Sequence, residues 1–211
     1  MKINNHLLLV IFSAIFFACN QPQSLPILGN REPVERQIVG KTTIDTVYST
    51  VPNFSFINQN GDSVTQKTTE GKIYVADFFF TTCPTICPIM KKQMIRVYQK
   101  IKGDPSFMLL SHTIDPDHDT VALLKDFCER LGSDGKQWMF LTGNRDQIYE
   151  MAEKGYYATA MPDSTEPGGY IHSGGFILVD AQRRVRGIYN GTEEKEVDQL
   201  MRDLYVLKAE K

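Results

Sequence analysis

The chain has 211 residues, 42% of them hydrophobic, with 23 basic and 25 acidic side chains and a formal charge of −2. That length holds one domain of ordinary size plus extensions, enough to bury a real core. A charged fraction of 23% beside 10% aromatics excludes a disordered chain, 15 Gly with 10 Pro exclude a collagen-like one, and no basic surplus exists for nucleic acid.

The first residues form a separate object. Lys2 supplies a positive start, and Leu7 to Phe17 is an apolar run of signal-peptide length, short of the ~20 residues a spanning helix needs. The run ends in Ala18-Cys19. A small residue directly before a cysteine at this place resembles the lipobox of bacterial lipoproteins, although Phe16 and Phe17 stand where Leu and a small residue are usual. In such proteins the cysteine becomes the new N-terminus and carries lipid. The expected division is a signal peptide over 1–18, a flexible tether over 19–48 and a folded domain over 49–211. The domain is then a membrane-anchored lipoprotein of the cell envelope, held through Cys19 and facing the periplasm, where disulfides persist.

Within the domain, Phe54 to Ile57 and Ser63 to Thr65 flank Asn60-Gly61, a strong hairpin signal. Lys72 to Phe80 is an almost continuous apolar run, as in a strand covered on both faces. A helix follows, with Ile86, Met90, Met94, Val97 and Ile101 at helical spacing and Gly103 at its end. Phe107 to Ile114 reads as the next buried strand. Asp119-Thr120 caps a second helix that ends at Gly132, and Trp138 to Leu141 is a short strand. Asn144 opens a helix reaching Gly155. Phe176 to Asp180 and Val185 to Tyr189 pair across a turn, and Thr192 caps a last helix whose first turn holds Glu193 and Glu194. This order predicts an α/β fold with a mixed central sheet. The cysteine pair between the first core strand and its helix makes it resemble a thioredoxin-like sandwich with an N-terminal β-hairpin extension.

The chemistry concentrates in Cys83-Pro84-Thr85-Ile86-Cys87-Pro88. Two thiols four positions apart at a helix start lie near each other, where the helix N-terminus favours thiolate. Such a pair closes a disulfide, exchanges with a partner's disulfide, or binds a soft metal. A structural zinc site needs four protein ligands, and no second cysteine pair exists. Cys128 lies on the apolar stripe of a helix and reads as a buried structural thiol. Among the histidines, His6 leaves with the signal, His112 reads as a packed core residue and His118 as a surface one. His172 differs. It precedes a core strand after a loop rich in Gly and Pro, at the place that faces the cysteines in a thioredoxin-like fold. An imidazole with two thiolates is an S₂N set suited to copper. Asp77, on the strand leading to the cysteines, is not expected to be a ligand and reads equally as a residue at the strand surface.

These motifs, with Thr113-Ile-Asp115-Pro-Asp-His-Asp119-Thr120, Trp138-Met-Phe-Leu-Thr142-Gly143 and His172-Ser173 before Phe176 to Asp180, resemble the Sco/SenC family over about residues 50 to 208. Those proteins are copper-binding assembly factors for cytochrome c oxidase. The resemblance implies copper held by Cys83, Cys87 and His172, as Cu(I) or Cu(II). It also implies delivery to the binuclear site of oxidase subunit II or another envelope copper protein, after an upstream thiol reductant has reduced the cysteines. One departure stands out: Ile171 replaces the usual Asp before the histidine, a carboxylate that would orient the ring. The alternative reading is a thiol–disulfide oxidoreductase with Cys83 and Cys87 as its redox pair. A peroxidase is the weakest reading, because the cysteine environment of peroxiredoxins is not matched.

Overall fold

The computed structural model describes residues 24–210. Its core is a seven-stranded mixed sheet. The strands are β3 (Ser55–Asn58), β4 (Ser63–Thr65), β5 (Ile73–Phe79), β6 (Phe107–Thr113), β7 (Trp138–Thr142), β10 (Gly175–Val179) and β11 (Val185–Asn190), in the order β11-β10-β5-β6-β7-β3-β4. Strands β5, β6 and β7 run parallel, while β10 lies antiparallel to β5 and β3 antiparallel to β7. The seven residues of β5 and the seven of β6 are all buried, as their unbroken apolar character requires.

Alternation along these strands sorts the two faces. Asp77, Phe79, Ser111 and Phe140 point toward helices α1 (Cys87–Ile101) and α2 (Val121–Arg130), with α4 (Glu194–Ala209) packed beside α1. Tyr74, Phe78 and His112 point the other way, against Phe56 and Tyr156, the latter just after helix α3 (Arg145–Glu150) and a π-helical turn over Met151–Gly155.

Local signals act as their chemistry dictates. Gly61 takes the left-handed conformation (φ +85°) in the β3–β4 hairpin, and Thr120 caps α2 by accepting from the Leu123 amide. Asn144 caps α3 through the Gln147 amide. Thr192 does not cap α4. Its hydroxyl and amide both turn to Asn190 Oδ1, so Glu193 occupies the cap without a side-chain bond.

The largest departure lies at the N-terminal side. Residues expected to be a loose tether are folded from Leu25 onward. Leu25 and Leu28 pack against the core, the Leu28 amide donates to Val185 O, and Arg186 holds the carbonyl of Pro26. Strands β1 (Arg31–Ile38) and β2 (Lys41–Tyr48) then form an antiparallel hairpin. Its turn places Val39 and Gly40 both at positive φ (47° and 75°), the backbone of a type I′ connection. Every residue of β1 is exposed, so the hairpin has no buried face to mark it in the sequence. The signal peptide expected over 1–18 and the anchor expected at Cys19 lie outside the described residues. Among the described residues no helix is long and apolar enough to cross a membrane.

Candidate metal centre

The parallel strands deliver their C-terminal ends to one edge of the domain, and the site sits there. Strand β5 runs out through Phe80 and Thr81 into the cysteine loop. Cys83 lies in that loop and Cys87 is the first residue of α1, with Pro88 in its first turn, where a missing amide costs nothing. The two thiols therefore do not share a helix face. Instead the helix start presents free amides to the loop sulfur.

His172 arrives from a small hairpin that sequence reasoning read as loop: β8 (Ala160–Pro162) paired with β9 (Tyr170–His172), with Ala160 opposite His172. His172 Nε2 stands 3.3 Å from Cys87 Sγ and 3.8 Å from Cys83 Sγ. The three ligand atoms all lie within 4.8 Å of one another, and both thiols are free. Phe80 walls the site, its ring edge-on to His172 at 5.9 Å and tilted against Tyr170 at 5.1 Å. A cleft of about 140 Å³, lined by Phe80, Cys83, Thr85, Glu166, Tyr170 and His172 among others, opens over it.

The thiols are unequal. Burial works against the Cys83 thiolate, but hydrogen bonds from the Cys87 thiol and the Thr85 and Cys87 amides outweigh it, and its pKa falls below the ordinary thiol value. Burial raises Cys87 far above that value, the contact with Cys83 adds to the rise, and the Lys91 ammonium only partly offsets it. Burial also lowers the His172 imidazole, against the pull of the Asp77 carboxylate, which favours the neutral ring that a metal ligand needs. His172 Nδ1 is buried without a hydrogen-bond partner, consistent with Ile171 standing where a carboxylate would be.

Two polar clusters support these residues. Asp119, fully buried, accepts from the Thr81 amide at 3.1 Å and from the hydroxyls of Thr81 and Thr113, tying the cysteine loop to the loop after β6. From that second loop Asp115 accepts from the Tyr170 hydroxyl at 2.8 Å, which ties down the histidine hairpin. Beneath the site, Asp77 is fully buried and not at the strand surface. It accepts from Lys91 Nζ at 2.8 Å and from Ser111, which also accepts from Trp138 Nε1 at 2.9 Å. Lys91 escaped the sequence reading because a lysine on a helix is ordinarily solvated. Its position one turn after Cys87, opposite a strand aspartate, was the available signal.

The remaining candidates lie elsewhere. Cys128 is buried, with its thiol directed at Ser133 O at 3.9 Å. His112 is fully buried on the far face of the sheet, while His118 is half exposed beside Asp119. Cys19 and His6 fall outside the described residues. Chemically, two sulfurs and one imidazole form a three-coordinate soft set, and a second protein ligand pair for zinc is missing among the described residues.

The family model described as SCO1/SenC matches residues 43–206. The SCO1 protein homolog of Bacillus subtilis is 32% identical over 167 residues, 78% of this chain and 86% of the relative. A solved SCO1/SenC family lipoprotein from Bacillus anthracis superposes with a TM-score of 0.69 at 29% identity, over 75% of this chain and 95% of that one. BsSco, described as a member of the Sco family of cytochrome c oxidase assembly proteins with a disulfide switch, superposes with a TM-score of 0.68 at 32% identity, covering 77% and 95%. These neighbours share the thioredoxin-like fold.

Proposed function

The chain belongs to the SCO1/SenC family, and we propose that this protein is an envelope copper chaperone. Cys83, Cys87 and His172 hold one copper ion as cargo, and the protein passes it by ligand exchange to the binuclear copper site of cytochrome c oxidase subunit II. The convergence of two thiol sulfurs and a neutral imidazole within 4.8 Å carries this reading. Soft thiolates suit Cu(I), imidazole suits both oxidation states, and three ligands leave room for an incoming one. Binding needs reduced, deprotonated cysteines, so an upstream thiol reductant of the envelope belongs to the cycle. The lipobox-like end at Cys19 and the similarity to a bacterial lipoprotein support a lipid anchor and an envelope location.

The inequality of the thiols favours a second activity at the same residues, thiol–disulfide exchange. The Cys83 thiolate attacks one sulfur of a partner disulfide, forming a mixed disulfide and releasing one partner thiolate. Cys87 gives its proton to His172 Nε2 and attacks Cys83 Sγ, which closes the Cys83–Cys87 disulfide and releases the second partner sulfur. Two electrons pass to the partner, and the upstream reductant restores the pair.

Anaerobic Cu(I) titration of the reduced protein tests the leading reading. One tight equivalent is expected, abolished in Cys83→Ser and weakened by about tenfold or more in His172→Ala. Weak binding indifferent to His172 would overturn the chaperone reading in favour of exchange.

A further inference from the structure

Strands β5, β6 and β7 point their C-terminal ends at the metal centre, so the loops at their N-terminal ends form the opposite pole of the domain. The chain enters the fold at that opposite pole. The Leu25 amide donates to Glu210, just past the end of α4, at 2.7 Å, and Leu28 joins the start of β11 at Val185. Leu25 is six residues on from Cys19, a span of at most about 20 Å when fully extended.

Charge divides along the same axis. The entry pole carries Lys67, Lys72, Lys102 and Lys136 from the loops before β5, β6 and β7, Lys100 from the last turn of α1, and Arg183 from the β10–β11 turn. Of the acids there, Asp104 is paired with Lys208, Glu210 with Arg186, and Asp180 with Arg184 and Arg186, which leaves Asp62, Glu70, Glu129 and Asp134 against the six bases. The metal-site pole is acidic: with Asp117 paired to Arg145 and Glu194 to Arg96, it keeps Asp115 after β6, Asp163 and Glu166 between β8 and β9, and Glu193 before α4.

We propose that the basic pole seats on anionic phospholipid headgroups, so that the anchored domain stands with Cys83, Cys87 and His172 directed away from the bilayer. This inference rests on the lipid anchor at Cys19 put forward above. Attraction between lysines and an anionic leaflet dies within a Debye length of about 8 Å, so it orients a domain only when the leash is short. A tether running to residue 48 would leave every orientation open; a fold beginning at Leu25 does not. The acceptor that takes the copper then approaches from the aqueous side, at the height of the domain, and its docking face complements an acidic rim.

Lysine acetylation footprinting of the full lipidated chain tests this, on vesicles of phosphatidylcholine alone and with about a quarter phosphatidylglycerol. About threefold or greater protection of Lys67, Lys100, Lys102 and Lys136 is expected on the anionic vesicles, with Lys92, Lys125 and Lys195 unchanged. Reversing two charges, in the Lys102→Glu/Lys136→Glu variant, should remove the protection of Lys67 and Lys100. Uniform labelling, or protection at Lys195 beside the metal-site pole, would overturn the proposal. The anchor is read separately, by flotation of the wild type and Cys19→Ala with neutral vesicles. Equal flotation of the two defeats the anchor reading, while the footprint still judges the pole.

Discussion

Lys91 Nζ lies 2.8 Å from Asp77 Oδ2, with the lysine side chain 6% exposed and the aspartate wholly buried, one helical turn beyond Cys87. The ammonium also stands 3.9 Å from the centre of the Phe79 ring. Two charges taken out of water beside apolar rings persist only because each neutralises the other. They lie beneath the thiols, and both act on His172.

Removing one partner should therefore cost far more than removing both. Lys91→Met leaves a buried carboxylate and is expected to lower unfolding stability by about 3–5 kcal/mol. The Asp77→Val/Lys91→Met double variant should recover most of that loss, because Ser111 and Trp138 keep each other as partners. Urea midpoints of the three proteins decide it. Equal losses in single and double variants would show that the pair contributes through something other than charge compensation.

His112 gives the fold an acid limit. Burial lowers its pKa from 6.5 to about 4, only partly opposed by Asp77, and neither ring nitrogen has a hydrogen-bond partner. The folded state thus keeps the ring neutral, while the unfolded chain takes up a proton once the pH drops below its ordinary value. The stabilising contribution is complete above about pH 6.5, declines as the pH falls, and is exhausted near pH 4, a loss of about 3 kcal/mol. Urea unfolding at several pH values should show this slope in the wild type. His112→Phe, which keeps the ring stack on Phe78, should flatten it.

The same contrast between local and distant information explains what the sequence revealed. The cysteine loop, the cap at Thr120 and the Asn60-Gly61 turn are decided by neighbours in the chain, and each stands where its residues place it. His172 lies 85 positions from Cys87, so only the topology of the fold brings it to the thiols. Its three-residue hairpin strands are too short for any alternation to show. The hairpin over Arg31–Tyr48 was missed for a related reason: with both faces in water, its valines and isoleucines carry no pattern of burial. Asp77 and Lys91 each look ordinary alone, and only the packing of α1 on β5 makes them a pair.

Cys83 should react first with alkylating agents. Its pKa lies below the ordinary thiol value, whereas burial raises those of Cys87 and Cys128. Since the thiolate is the nucleophile, reduced metal-free protein treated with iodoacetamide near neutral pH should carry its first label on Cys83. Peptide mapping at partial modification reads the order. Labelling of Cys128 at a matching rate would mean that the amides of Thr85 and Cys87 do not favour the Cys83 thiolate.

The bond from Tyr170 to Asp115 is the last link that sets the metal centre. Asp119 and Asp115 lie in one loop, and each holds a different part of the site: Asp119 the residue that begins the cysteine loop, Asp115 the strand that ends in His172. Removing the Tyr170 hydroxyl leaves its ring against Phe80 and takes away one hydrogen bond, worth about 1 kcal/mol. Global stability should change little in Tyr170→Phe. The histidine hairpin is a small two-stranded sheet held at its margin, so the loss should appear locally, as faster amide exchange over residues 170–172. A metal that takes His172 as a ligand must then order the hairpin as it binds, and copper affinity should fall by about fivefold while the stoichiometry stays at one. Unchanged exchange together with unchanged affinity would show that Phe80 packing alone positions the imidazole.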